Sequence, residues 1–215
     1  MKPSAIEEAK SECPDCGGMG YLAFIEGYST ILLPCPRCLP PSRYTFATFQ
    51  EAAGVHVALK AARAFADGDG PPWLMILGGH GSGKTHLARA VHRRLMERLC
   101  PSIYVYSIDL FDRLREAFHY RDEPDFVHYM EFQYIGTPHL IIDDLGAERE
   151  TLWVQERAEK ILNIRHEKEL RTLITSNLGL ADFPGALQSR MGDRRLCLVV
   201  HLVADDFRKG KHADA

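Results

Sequence analysis

At 215 residues, with 46% hydrophobic and 26% charged side chains, the chain can bury one substantial core beside a small appendage, and its composition excludes a disordered polymer. A formal net charge of −3 excludes a uniformly basic nucleic-acid coat but leaves room for a local basic groove. No apolar run approaches the ~18 residues of a membrane span, and the opening "MKPSAIEEAK" carries acids and no apolar leader segment, so a cytoplasmic protein without membrane association is expected.

Residues 1–41 are rich in Cys, Gly and Pro, and four of the six cysteines fall in two pairs, Cys13/Cys16 and Cys35/Cys38, with 18 residues between the pairs. In a reducing compartment this spacing favours a metal over disulfides. Each C-x-x-C sits on a tight knuckle, and together they close a tetrahedral four-sulfur zinc site with no open position, hence a structural one. A redox dithiol is the alternative, but the thioredoxin-like context is missing. "CPDCGGMG" also fits one repeat of a DnaJ-type zinc region, of which only one is present. Pro40 and Pro41 break the chain and predict two units, a zinc-binding module over 1–41 and a second domain over 42–215.

After "RYTFATF", an Ala-rich helix is expected over about 55–67, stopped by "DGDGPP". "WLMIL" (73–77) reads as a buried strand, and "KTHLARAVHRRLMERL" (84–99) as a helix with Leu87, Val91, Leu95 and Leu99 on one stripe. "SIYVYSI" is the next strand, followed by helices over about 109–120 and 124–134, the strand "HLIID", and a helical stripe of Val154, Ala158, Ile161 and Leu162. "TLITSN" and "LCLVVHL" (196–202) complete five strands. Strands alternating with helices predict an α/β fold with a parallel sheet.

"GGHGSGKT" (78–85) fits G-x-x-x-x-G-K-[ST] and lies between a predicted strand and helix. Its glycines let backbone N–H groups curl around phosphate oxygens, Lys84 reaches the β/γ-phosphates, and Thr85 is placed to ligate Mg²⁺. Gly78, Gly79, His80, Gly81, Ser82, Gly83, Lys84, Thr85 and His86 are therefore the candidate ATP-binding residues; a Gly-rich turn with a surface lysine is the bland alternative. "LIIDDLG" sets Asp143 and Asp144 side by side after a buried run. A carboxylate taken out of water costs several kcal/mol unless paired, so a cation is expected: Asp143 to hold Mg²⁺ and Asp144 to orient and deprotonate the attacking water. A helix-capping pair is the alternative for the two acids. Asn177, 34 residues beyond Asp143 at the end of "LITSN", could hold that water or simply form a turn, and the residues alone do not separate these.

"YTFATF", "GGHGSGKTHLARA", "LIIDDLGAE", "LITSNL" and "QSRMGDRR…DDFR" in this order resemble AAA+ ATPases, and more narrowly the DnaC/DnaI-type replicative helicase loaders, over about residues 42–208. The resemblance implies an AAA+ P-loop NTPase core with a five-stranded parallel sheet, ATP bound at the interfaces of a homo-oligomer, Asn177 as sensor 1 and Arg190 as the arginine finger. It also implies a sensor-2-like role for Arg208, although little chain follows it to form a lid. Asp144 stands where many AAA+ ATPases carry Glu, which implies slow, switch-like turnover. The helices after "SIYVYSI" take the place of an insertion that lines a channel for single-stranded DNA in initiators and loaders. Arg113, Arg115, Tyr120 and Arg121 could supply charge and a stacking face there; "DRLREAF" equally reads as a solvated helix face. By the same resemblance, the zinc module grips a DnaB-type helicase. The expected function is an ATP-dependent helicase loader using ATP, Mg²⁺ and Zn²⁺. An IstB-like transposition helper, a nucleotide-switched adaptor and a small-molecule P-loop kinase are the alternatives.

Overall fold

The computed structural model of the chain describes residues 13–26, 29–51, 54–119, 133–147 and 151–204. Two sheets are present among them. The first is an antiparallel hairpin of β1 (Tyr21–Glu26) and β2 (Ser29–Pro34), flanked by the two cysteine knuckles.

The second is a five-stranded parallel sheet in the order β4-β5-β6-β3-β7, built from β3 (Trp73–Leu77), β4 (Ser102–Tyr106), β5 (His139–Asp143), β6 (Arg171–Ser176) and β7 (Cys197–His201). Every residue of β3 is buried, because it runs between β6 and β7 with helices on both faces. Side chains alternate along a strand, so Trp73, Met75 and Leu77 enter one core with Leu140, Ile142 and Ile174, while Leu74 and Ile76 enter the other with Ile141, Leu173 and Val200.

The first face is covered by α3 (Ser107–His119), α4 (Leu152–Glu167) and the short α5 (Gly185–Met191), through Leu110, Leu114, Ile161, Leu162 and Met191. The second is covered by α1 (His56–Asp67) and α2 (Lys84–Glu97), through Leu59, Phe65, Leu87, Val91 and Leu95. Of the two stripes read from the sequence, Val154, Ala158, Ile161 and Leu162 all lie in the first core, while Leu87, Val91 and Leu95 lie in the second and Leu99, at φ 56°, falls beyond the end of α2 at Glu97. α1 stops where Gly68 takes a left-handed conformation and its N–H caps the carbonyls of Ala64 and Phe65. α4 starts at Thr151, whose hydroxyl accepts the N–H of Val154.

One boundary differs from expectation. β4 ends at Tyr106 and α3 begins at Ser107, where a strand through Ile108 is predicted. Ser107 is buried and its hydroxyl donates to the Asp144 carbonyl, while Asp109 places an acid in the first helical turn. Residues 133–136 are helical; the rest of the helix expected over 124–134, together with Tyr120, Arg121 and Arg208, lies outside the described residues. Among the described residues, no helix is long and apolar enough to cross a membrane.

Candidate functional site

The C-terminal ends of β3, β5 and β6 lie side by side, which is where an open parallel sheet presents its ligand crevice. The loop leaving β3 turns at Gly83, whose φ of 101° lies in the left-handed region and whose missing Cβ would sit 3.0 Å from the Phe49 ring. At Gly78 a Cβ would fall 2.5 Å from the Leu202 carbonyl oxygen, so the loop can pass β7 only without a side chain there.

A cleft of about 540 Å³ opens above this loop, lined by His80, Gly81, Ser82, Gly83, Lys84, Thr85 and His86, by Asp144 and Asn177, and by Arg43, Tyr44, Thr48, Phe49 and Gln50. Lys84 is the first residue of α2 and is buried. Its ammonium donates to the Gly78 carbonyl (2.9 Å), the Gly79 carbonyl (2.7 Å) and Asn177 Oδ1 (2.7 Å). Asn177 Nδ2 in turn donates to Asp144 Oδ1. The phosphate-loop lysine, the residue after β6 and the second acid are thus one hydrogen-bonded group on the cleft wall. His86 is held by an Nε2 contact with the Thr45 carbonyl at 2.9 Å and by edge-on packing against Tyr44 and Phe49.

The two acids part company. Asp144 adopts φ 61° and lines the cleft, whereas Asp143 is wholly buried beneath it. Both oxygens of Asp143 accept hydroxyl protons, Oδ1 from Thr175 and Oδ2 from Tyr104 at 2.6 Å. Burial and the charge of Asp143 push the Tyr104 phenol far above its usual range, so that hydroxyl keeps its proton. Within the fold the two acids have hydrogen-bond partners of their own, two hydroxyls for Asp143 and an amide for Asp144. Each carboxylate oxygen has a further acceptor lone pair. Asp143 lies directly beneath the cleft while Thr85 and Asp144 line it, so the donors gathered here are the oxygens that suit Mg²⁺.

The four cysteine sulfurs of the hairpin module lie within 4.8 Å of one another, and no disulfide joins them. Cys13 and Cys35 sulfurs are 3.8 Å apart and Cys16 and Cys38 sulfurs 3.5 Å, close to the edge of a tetrahedron with metal–sulfur bonds of about 2.3 Å. The Gly20 N–H donates to Cys16 Sγ at 3.2 Å, closing the first knuckle. Backbone N–H groups at Cys16 and Asp15 hold the Cys13 thiol down at about 7, whereas desolvation and the neighbouring sulfurs push Cys38 up to about 12.

Of the remaining candidates, Arg190 sits half-exposed on α5, donates to the Ala186 carbonyl and takes no part in its own cleft. Arg113 is exposed on α3; Arg115 pairs with Asp112 at 2.6 Å and lies over the Trp153 ring, so one of the three arginines proposed to face DNA is already engaged. Sequence reasoning missed the cleft wall at Arg43, Tyr44, Thr48, Phe49 and Gln50, although "YTFATF" flagged the segment. It also missed Tyr104 and Thr175, whose signal was the i, i+2 spacing that puts Tyr104 and Tyr106 on one face of β4.

A three-layered sheet with a phosphate loop, tandem acids and a polar residue after the adjacent strand defines a P-loop ATPase of the AAA+ class. Residues 41–194 match the family described as the bacterial DnaA ATPase domain, and the chain belongs to that family. Among its relatives, the chromosomal replication initiator protein DnaA of Synechocystis sp. is 30% identical over 156 residues, covering 71% of this chain and 34% of that protein. This chain thus spans about a third of that relative's length. A replication initiator DnaA bound to AMPPCP and single-stranded DNA superposes with a TM-score of 0.67 at 19% identity, covering 77% of this chain and 51% of the other. The DnaC helicase loader superposes with a TM-score of 0.58 at 23% identity, covering 75% of this chain and 97% of the other. The fold is shared with both kinds of protein, and the activity is that of an ATPase.

Proposed function

We propose that this chain is an ATP-dependent helicase loader, in which residues 1–41 bind a DnaB-type replicative helicase and residues 42–215 form the ATPase that places it on single-stranded DNA. The observation that carries the reading is a four-sulfur metal site on an apolar hairpin directly ahead of a DnaA-type ATPase core. On the hairpin, Tyr21 is 55% and Leu32 63% exposed, and their positions in the register set them on the same face. A cytoplasmic location follows from this role.

In this reading the loop amides and Lys84 bind the β/γ-phosphates, which offer charge-assisted bonds in place of the Gly78, Gly79 and Asn177 oxygens that Lys84 now holds. Asn177 and Asp144 then orient the attacking water, and Asp144 accepts its proton. Thr85, and Asp143 through water, would hold the magnesium ion, which neutralises charge on the transferred phosphoryl group. Arg190, outside its own cleft, reaches the site of an adjoining copy, so that hydrolysis depends on assembly. The cysteines hold zinc as a structural ion.

The test is capture of a purified hexameric replicative helicase by the full chain, with ATP and Mg²⁺. The wild type retains the helicase, and Cys35→Ser loses it while keeping ATP binding. A second reading is favoured by the family match itself: an initiator-like protein that assembles on single-stranded DNA without a helicase. ATP-dependent assembly on single-stranded DNA with no retention of helicase by the wild type would select it.

A further inference from the structure

Asp143 is gripped from both neighbouring strands. On one side, the Tyr104 hydroxyl donates to Oδ2 at 2.6 Å and accepts the Nε–H of Arg89 at 3.1 Å. On the other, the Thr175 hydroxyl donates to Oδ1 and accepts the Asp144 N–H at 2.9 Å. The ends of this chain fix its direction. A guanidinium and a backbone amide can only donate, and each hydroxyl has a single proton. With their acceptor sides taken, Tyr104 and Thr175 both aim that proton at Asp143.

Arg89 is itself immobilised. Its Nη2 donates to the Tyr106 hydroxyl at 2.7 Å, and its guanidinium lies 4.6 Å from the centroid of Tyr44, a residue of the cleft wall. A guanidinium that met Asp143 directly would form a two-pronged ion pair and take both carboxylate oxygens. The Tyr104 hydroxyl stands between them as a neutral spacer.

We propose that Arg89 and Tyr104 are positioning residues of the ATPase site: they fix the rotamer of Asp143 through a one-directional hydrogen-bond chain while keeping the arginine from pairing with it. The acid therefore stays oriented, and its remaining lone pairs stay available to a magnesium-bound water. This rests on the reading that Asp143 serves magnesium.

The experiment is equilibrium titration of the full chain with a fluorescent ATP analogue, in EDTA and across a magnesium series, for wild type, Tyr104→Phe, Arg89→Gln and Asp143→Asn. Tyr104→Phe is expected to keep its affinity in EDTA within about twofold and to raise the magnesium concentration for half of the metal-dependent gain about fivefold, the worth of one buried hydrogen bond. Arg89→Gln moves the same midpoint in the same direction by a smaller factor and provides the test if Tyr104→Phe does not fold. Asp143→Asn moves it most. If Asp143→Asn leaves the midpoint unchanged, the magnesium reading of Asp143 fails. If Asp143→Asn raises it and neither Tyr104→Phe nor Arg89→Gln does, or if these two weaken binding equally in EDTA, the positioning role is overturned.

Discussion

The hairpin of β1 and β2 and the five-stranded sheet reach order by different means. Every residue of β3 is buried between two helical layers. The hairpin leaves Met19, Tyr21 and Leu32 more than half exposed, and its cluster among the described residues is three buried cysteines with Leu22 and Cys38 packed against them. A lone two-stranded hairpin is marginal in water, and the proposed zinc ion would supply what its small apolar cluster does not. The sheet depends on apolar burial and asks nothing of a ligand. Polar groups follow the same division: the four sulfurs of the hairpin face one another, whereas Asp143 is hydrogen-bonded by hydroxyls from the neighbouring strands.

Removing the metal should separate the two regions completely. Chelation of the purified chain is expected to bring amide exchange over residues 13–38 to the rate of free chain, since structural zinc supplies on the order of 10 kcal/mol to such modules. Protection in β3, β5 and β6 should persist. Loss of protection in both regions together would break the comparison by showing that the hairpin and the sheet fold as one unit.

A smaller effect sharpens it from the side of the sheet. His92 on α2 is half-buried, and desolvation pushes it down to about 4, while its ring contacts the Ser102 hydroxyl at 3.1 Å. Its folded value lies below the unfolded value of about 6.5, so its stability contribution is present above pH 6.5 and is lost as pH falls toward 4. Denaturant unfolding of the sheet should therefore weaken by roughly 2–3 kcal/mol between pH 7 and 4.5, and His92→Gln should flatten that dependence. An equal slope in the variant would place the acid sensitivity elsewhere.

Much of this was legible in the sequence because periodicity and loop chemistry are local. "WLMIL" is a strand from Trp73 to Leu77, the stripe Leu87, Val91, Leu95 lies inward, and the glycines of 78–83 stand where the backbone passes β7 and turns into α2. What was not legible depends on strand order. Nothing in "SIYVYSI" says that β4 lies beside β5, and without that neighbour Tyr104 has no route to Asp143. The hydrogen-bond partners of Asp143 and Asp144 were hidden for the same reason, since Tyr104, Thr175 and Asn177 are distant in sequence. The end of β4 was misplaced because Ser107 turns inward to the Asp144 carbonyl, a partner 37 residues away.

As an ATP site, the cleft over residues 78–85 needs the Lys84 ammonium to offset phosphate charge. Equilibrium binding of ATP with Mg²⁺ to the wild type and to Lys84→Ala, both checked for unchanged melting, tests it most directly. The account predicts saturable binding by the wild type and a loss of at least about 100-fold in the variant, as expected for removing a charge-assisted contact in a sheltered site. Equal affinity in the two proteins, or no binding by either, would contradict it.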